Sequence, residues 1–303
     1  MNTLVIGYGS IGARHARILM ELGCRTSVVS RRKVDFPNAF DDLAAALEAE
    51  APKCVVIANE TSQHQRTLSE LAKLGYKGTV LIEKPLFHQY AALPPHSFKD
   101  VFVAYNLRFH PIIRRIKALL VDEQILSVQV YVGQYLPDWR PNSDYRTCYS
   151  ASAEQGGGVL RDLSHELDYL CWLLGGWERV SAIGGHFSPL EISSDDIFML
   201  LMATPLCPAV TVQLNYLDRL GRRFMIINTV QHTIEADLGK GTVKVDSGSE
   251  SFSIERDQTY RQMHEAILSG KTDTLCTLNE GLEALRLIAA SELAAKNREW
   301  VNR

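Results

Sequence analysis

Gly156 to Gly175 reads GGGVLRDLSHELDYLCWLLG. Behind the glycine run an aspartate and a histidine, Asp162 and His165, stand about one helical turn apart. That spacing sets a carboxylate and an imidazole on one face, a pair suited to taking a proton from a substrate group and returning it. The helix has its own anchor, because at about 100° per residue Leu160, Leu163, Leu167, Leu170 and Leu174 fall within about 80° of one another. Asp162, His165 and Tyr169 lie on the opposite side with Trp172 at its margin, so that side is expected to face another part of the protein or a ligand. Alone, His165 reads as an ordinary helix-surface residue; the rest of the chain reverses that reading.

A second chemical signal stands at the start of the chain. Thr3 to Ile6 is an apolar strand that runs into Gly7-Tyr8-Gly9-Ser10-Ile11-Gly12 and then a helix to about Leu22. The first glycine permits a tight turn, the second lets backbone approach a pyrophosphate, and the third lets helix and strand pack closely, with the helix N-terminus facing the anion. Gly7, Gly9, Ser10, Ile11 and Gly12 are therefore the expected dinucleotide cradle, against the alternative of a purely structural glycine turn. Arg14 and His15, just beyond, read as ordinary helix-surface residues. Cys24 to Ser30 is the second strand and ends in Ser30-Arg31-Arg32-Lys33, with no acid between Gly23 and Val34. An acid there hydrogen-bonds the ribose of NAD, whereas arginine accommodates the 2′-phosphate of NADP. Ser30, Arg31 and Arg32 point to NADP, with NAD the other candidate and a plain solvated loop the bland one.

These residues need elements to hold them. Ala39 to Glu50 has helical spacing, and Cys54 to Ala58 is a third strand ending at Asn59-Glu60-Thr61-Ser62-Gln63-His64. Gln65 to Leu74 is a helix, and Thr79 to Ile82 a fourth strand ending in Glu83-Lys84-Pro85, where a cis peptide is admissible. Val101 to Tyr105 is a fifth strand, leading into Asn106-Leu107-Arg108-Phe109-His110-Pro111. Strands alternating with helices make a parallel sheet, whose ligands sit beyond the carboxyl ends of the strands, where Asn59, His64 and Lys84 fall. After a helix from about Pro111 to Val121 the pattern changes to long alternating strands: 125–135, 179–187, 196–203, 210–216, 222–228, 233–236, 242–245 and 252–255. This predicts a large, mostly antiparallel sheet. A helix over 278–298 opens on Thr277-Leu278-Asn279-Glu280, a capping box. The fold class is thus α/β, a Rossmann domain over residues 1–107 followed by an α+β domain with an open-faced sheet over 108–303.

Composition limits the partners. With 303 residues there is material for two domains, and 46% hydrophobic residues, 22% charged residues and a formal charge of −3 carry no bias toward nucleic acid or anionic membrane. Six scattered cysteines without a C-x-x-C pair argue against a zinc site or a disulfide framework, so no metal is expected and reduced thiols in the cytoplasm are. No stretch is long and apolar enough to span a membrane, and a strand beginning at Asn2 leaves no room for a signal peptide.

GYGSIGARH at the N-terminus, EKP at Glu83 to Pro85, and GGGVLRDLSHELD from Gly156 to Asp168, with NLRFHP between the second and third, together resemble the Gfo/Idh/MocA family over essentially the whole chain. The resemblance is closest to members associated with bacterial surface-polysaccharide sugars. It implies NAD(P) on the first domain and a sugar or similar polyol as the substrate of a dehydrogenase or reductase. The family's catalytic lysine falls on Lys84 and its histidine on His165. Its usual aspartate, four residues before the histidine, is Arg161 here, while Asp162 stands three before it on the same helix face. The segment from Phe87 to Phe98 is shorter than usual and proline-rich, with Pro94 and Pro95.

On this basis His165 takes the hydroxyl proton, Lys84 hydrogen-bonds the developing oxyanion, and Asp162 holds the imidazole, with Lys84 open as the alternative base. Glu83 joins Asn59, His64 and Lys84 on the cofactor side. Asn106, Arg108, Tyr135, Trp139, Tyr145 and Arg161 join Asp162 and His165 as expected substrate contacts, since aromatic and arginine side chains suit sugar stacking and anion pairing. For Trp139, packing on the core is the equal alternative. The competing functions are a non-catalytic NAD(P)-binding regulator and a reductase of a non-sugar carbonyl. The open face of the second sheet is the expected contact of a homodimer or homotetramer.

Overall fold

The computed structural model describes every residue except Ala92, Pro94, Pro141 and Asn142; Pro94, singled out above, therefore lies outside the described residues. The chain forms two compact units: Met1–Phe109 with Arg256–Leu282, and His110–Glu255 with Glu283–Arg303.

The first unit opens with β1 (Asn2–Ile6), α1 (Ser10–Glu21), β2 (Arg25–Val29), β3 (Ala39–Phe40), α2 (Leu43–Glu50), β4 (Cys54–Ile57), α3 (His64–Lys73), β5 (Thr79–Ile82) and β6 (Val101–Val103). The strands lie in the order β6-β5-β4-β1-β2-β3, every pair parallel. In register, Ile6 stands between Val29 and Ile57, and Ile57 beside Ile82, so the carboxyl ends of four strands finish together. The chain order reverses at β1, which places the crevice at the glycine turn. Near-continuous Val, Ile and Leu in β1, β4 and β5 reflect burial on both faces. Ala39 and Phe40, expected in a helix, instead extend the sheet. The helix begins at Leu43 because the Asp42 side chain accepts the Ala45 N–H at 2.8 Å, a cap that only a non-helical residue can supply.

The second unit contains α4 (Pro111–Leu119), β7 (Ile125–Gly133), α5 (Val159–Asp162), α6 (His165–Leu174) and strands β8 (Arg179–Gly185), β9 (Ile197–Ala203), β10 (Val210–Asn215), β11 (Arg222–Thr229), β12 (Thr233–Asp237), β13 (Thr242–Val245) and β14 (Gly248–Ser251). Their order is β14-β13-β12-β11-β7-β10-β9-β8, antiparallel except for the β7–β10 pair. Alternation sets Val210, Val212 and Leu214 inward. On the opposite face Ile183, Met199 and Leu201 are exposed, with Ile183 directly across from Met199. The last expected strand, 252–255, is corrected to Gly248–Ser251. Asp246 and Ser247 form a two-residue turn, with Asp246 at φ +50°, that returns the chain at once so that Val245 pairs Gly248.

The remaining elements are α7 (Gln258–Ser269), β15 (Cys276–Thr277), α8 (Leu278–Asn297) and β16 (Val301–Asn302). Periodicity along the chain marks no helix at α7 and a single boundary after residue 107, whereas Arg256–Leu282 belongs to the first unit. Met263, Ala266 and Leu275 belong to the same buried cluster as Val5, Leu19 and Phe102. β15 adds a seventh strand beside β6, antiparallel, with Cys276 opposite Val103. The capping box at the head of α8 is reciprocal, the Glu280 carboxylate accepting the Thr277 N–H at 2.8 Å and Thr277 Oγ1 accepting the Glu280 N–H at 3.3 Å. β16 pairs with β8 on the second sheet. None of the six cysteines is in a disulfide, and among the described residues no helix is long and apolar enough to cross a membrane.

Candidate active site

At the end of β1 the three glycines have three different surroundings. Gly7 sits at φ +94°, and a Cβ there would lie 2.6 to 2.7 Å from backbone atoms of Asn59 and Ala58. A Cβ on Gly12 would collide with the Gly7 carbonyl, whereas one on Gly9 would meet nothing within 4 Å. The first and third glycines therefore allow close packing, and the second borders open space. Gly9 caps α1 without a side-chain hydrogen bond, and the first turn carries no acid. The N–H groups of Ser10, Ile11 and Gly12 thus form the uncapped positive end of a helix, which suits the pyrophosphate of a dinucleotide.

Beyond β2, Ser30 Oγ accepts the Arg32 N–H at 3.2 Å, and the exposed Arg31 guanidinium donates to Glu60 at 2.7 Å. An exposed pair of this kind contributes about 1 kcal/mol or less, so an anion could displace it readily. Glu60 arrives from the end of β4, so the residues of β2 give no sign of this acid. Asn59 donates through Nδ2 to Thr67 Oγ1 at 2.8 Å. His64, expected on the cofactor, is buried with Nδ1 at 3.2 and 3.1 Å from the Pro85 and Leu86 carbonyls and Nε2 at 3.2 Å from the Asn59 carbonyl. Burial pushes its pKa down, and the ring lies between the loop after β4 and the loop after β5, with its single neutral-form N–H able to donate to one of the two.

The Lys84–Pro85 peptide is cis, and Lys84 is half-buried. Its N–H donates to Glu83 Oε2 at 3.0 Å, while Glu83 Oε1 lies 2.8 Å from His15 Nε2. His15 needs correcting: it is 0% exposed, and its Nδ1 lies 2.7 Å from His264 Nε2. Its position in GARH gave no warning, since its partners lie 68 and 249 residues away. Asn106 and Arg108, expected on the substrate, are both buried. Asn106 donates to Thr259 Oγ1 at 2.6 Å, and Arg108 donates to Glu280 at 2.9 Å and to the Leu275 carbonyl at 3.4 Å. Both are engaged in holding the 256–282 segment on the first unit.

In the second unit the expected single helix is two. Leu163 and Ser164 interrupt it, separating α5 from α6, although Leu160, Leu163, Leu167, Leu170 and Leu174 are all buried as the stripe requires. Gly158, at φ +119°, is pressed against the Asp195 carboxyl, which accepts the Leu160 N–H at 3.1 Å and so caps α5. Asp162 is buried and accepts two phenols, from Tyr149 on one oxygen and from Tyr216 on the other at 2.6 Å. His165 is half-exposed at the head of α6. Tyr169, placed by helical spacing with Asp162 and His165, is instead fully buried, 3.4 Å from Glu166. Arg161 is held by Glu292 at 2.6 Å. Trp139 is half-buried, edge-to-face on Tyr216 with centroids 5.2 Å apart, so core packing accounts for one side of the indole. Tyr135 carries the Arg219 guanidinium on its ring at 3.8 Å, and Tyr145 accepts the Glu191 N–H at 3.3 Å. Tyr149, Tyr216 and Asp195 had no marker in the sequence, being single residues from separate segments. No group of three His, Cys, Asp or Glu able to hold a metal occurs among the described residues.

Residues 1–95 match the NAD-binding Rossmann-fold model of the GFO/IDH/MocA oxidoreductases, and residues 113–243 match a GFO/IDH/MocA C-terminal domain model. No curated protein is similar enough in sequence to match. Among solved structures, GenD2 from gentamicin A biosynthesis in complex with NAD is 21% identical, covers 100% of this chain and 96% of its own, and has a TM-score of 0.80. Levoglucosan dehydrogenase in complex with NADH and L-sorbose is 16% identical with 100% and 98% covered and a TM-score of 0.85. An oxidoreductase from Agrobacterium radiobacter in complex with NAD+, L-tartaric acid and magnesium is also 16% identical, with 100% and 98% covered and a TM-score of 0.80. At these identities the structures bear on fold alone, whereas the two family models together span most of the sequence: the chain belongs to the Gfo/Idh/MocA family of oxidoreductases, with an NAD-binding Rossmann domain and a C-terminal domain built on a large, mostly antiparallel sheet.

Proposed function

We propose that the protein is a cytoplasmic NADP-dependent dehydrogenase or reductase acting on a secondary alcohol or ketone of a sugar or nucleotide-activated sugar. One observation carries the reading: the half-buried Lys84 leaves β5 at the same sheet end as the uncapped glycine turn, with its backbone held by Glu83. A bound nicotinamide supplies the hydride acceptor in one direction and the donor in the other. Gly7, Gly9, Ser10, Ile11 and Gly12 would hold its pyrophosphate, and Ser30, Arg31 and Arg32 the adenosine end.

The chain's own residues handle the proton and the charge. In oxidation His165 removes the hydroxyl proton, and Lys84 donates a hydrogen bond to the oxygen while negative charge develops on it. In reduction the same proton returns from His165. Asp162 orients this region, and Tyr149 and Tyr216 hold its carboxylate in one rotamer through both oxygens. The half-exposed Tyr135, Trp139 and Tyr145 offer ring faces and edges to a sugar. The test is turnover of NADP(H) against a panel of sugars and nucleotide sugars. His165→Asn and Lys84→Met should each lower turnover by about 10² or more, with cofactor Kd changed by less than about threefold. If His165→Asn retains turnover within about threefold while Lys84→Met abolishes it, Lys84 and not His165 carries the proton.

A further inference from the structure

Three residues far apart in sequence form one buried line that ends on Lys84. His264, on α7, is 1% exposed and presents Nε2 to His15 Nδ1 at 2.7 Å. His15, on α1, is 0% exposed and presents Nε2 to Glu83 Oε1 at 2.8 Å. Glu83, 6% exposed, turns its second oxygen back on the Lys84 N–H at 3.0 Å. Burying a carboxylate and two imidazoles is costly unless every polar atom is engaged, and apolar side chains of similar volume would fill the same space at lower cost. A carboxylate only accepts, so His15 must carry its proton on Nε2, and a single proton then joins His15 Nδ1 to His264 Nε2. Burial and the adjacent His15 hold the His264 pKa well below the ordinary imidazole value, so His264 is the neutral end of the line.

We propose that Glu83, His15 and His264 are positioning residues for Lys84, acting as one hydrogen-bonded strut that fixes the root of the lysine at the carboxyl end of β5. The proposal rests on the reading of Lys84 as the residue that meets the reacting oxygen. A lysine amine hangs on a flexible four-carbon stem, so its aim is only as good as the backbone from which it springs. That backbone is held on both sides. Glu83 clamps the Lys84 N–H, and His64 contacts the carbonyls of the next two residues, Pro85 and Leu86. α7, late in the chain, packs in the first unit through Met263 and Ala266 and so delivers His264 to α1.

The experiment is amide hydrogen exchange at Lys84, read by NMR on the full chain without cofactor or substrate, together with the downfield imidazole N–H signals. His264→Leu keeps much of the volume and removes the hydrogen bond. It should speed Lys84 exchange by about tenfold, the loss of roughly one net hydrogen bond, and abolish the downfield signal of the proton shared by His15 and His264 while the amides of β5 stay protected. His264→Gln, whose amide can reach the place of Nε2, should bring exchange back to within about threefold of the parent. Glu83→Gln, which has one acceptor for two donors, should free either the Lys84 amide or the His15 N–H. Lys84 exchange that is unchanged in His264→Leu, or equally fast in the Leu and Gln variants, overturns the strut. Should His264→Leu fail to fold, Glu83→Gln decides alone: unchanged Lys84 exchange together with unchanged imidazole signals overturns it. Because nothing is bound in these measurements, their failure leaves the catalytic reading of Lys84 standing. Failure of Lys84→Met to lower turnover removes that reading without touching the strut.

Discussion

Tyr216→Phe tests the role of Asp162 without changing the shape of the site. The ring remains, with its edge-to-face contact to Trp139 at 5.2 Å, and only the hydroxyl that donates to Asp162 at 2.6 Å is lost. Tyr216 is 0% exposed, so no solvent replaces that donor, and a hydrogen bond to a buried charged acceptor is worth about 1.5 to 3 kcal/mol. All four tryptophans, Trp139, Trp172, Trp177 and Trp300, belong to the second unit, so their fluorescence follows the unfolding of that unit. With an m value near 2 kcal/mol/M, the urea midpoint should fall by about 0.8 to 1.5 M. In an Asp162→Asn background, where the amide can accept only one of the two phenols, the same substitution should cost about 1 kcal/mol less. A midpoint shift below about 0.2 M, or the same cost in both backgrounds, would refute the picture of Asp162 as a carboxylate held by two phenols.

Cofactor choice is expected to favour NADP, and calorimetric titration with both nucleotides checks it; tenfold tighter NAD, about 1.4 kcal/mol, would make Ser30-Arg31-Arg32 a surface run. The open face of the second sheet, with Ile183 71%, Leu201 53% and Met199 47% exposed, should pair copies of the chain as a homodimer or homotetramer. Light scattering should then show an oligomer that Leu201→Glu dissociates, and a monomeric parent at micromolar concentration defeats the idea. Asp195 provides a pH test: burial raises its pKa to about 6, above the ordinary 3.8, so the folded chain keeps that proton to higher pH than the unfolded chain. Its contribution to stability is complete below about pH 4 and declines as pH rises to about 6, by roughly 2 to 3 kcal/mol. Asp195→Asn should remove that decline from urea midpoints taken between about pH 4 and 7, and an unaltered slope would mean the carboxyl titrates normally.

Local patterns were enough where chemistry and backbone geometry coincide in a few neighbouring residues. Gly7, Gly9 and Gly12 carry their meaning in their spacing, because turn, approach and packing are set within six residues, and Lys84 before Pro85 marks a strand end wherever the strand lies. The leucine stripe from Leu160 to Leu174 determined which side of that segment is buried, since hydrophobic period follows helix geometry directly. The period did not disclose the break at Leu163 and Ser164, nor that Tyr169 would be buried opposite the stripe, because burial on the second side depends on what is packed there. The partners of the polar residues were beyond reach for the same reason. Glu60 reaches Arg31 across the sheet, His264 reaches His15 from a helix that periodicity does not mark, His15 in turn reaches Glu83, and Tyr149 and Tyr216 meet on Asp162 from separate segments. A hydrogen bond needs its atoms within about 3 Å, a condition that separation along the chain does not encode. The glycine turn, the strand-end Lys84 and the buried stripe were therefore legible in the sequence, while the partners of Arg31, Glu83 and Asp162 became so only when the tertiary fold brought distant segments together.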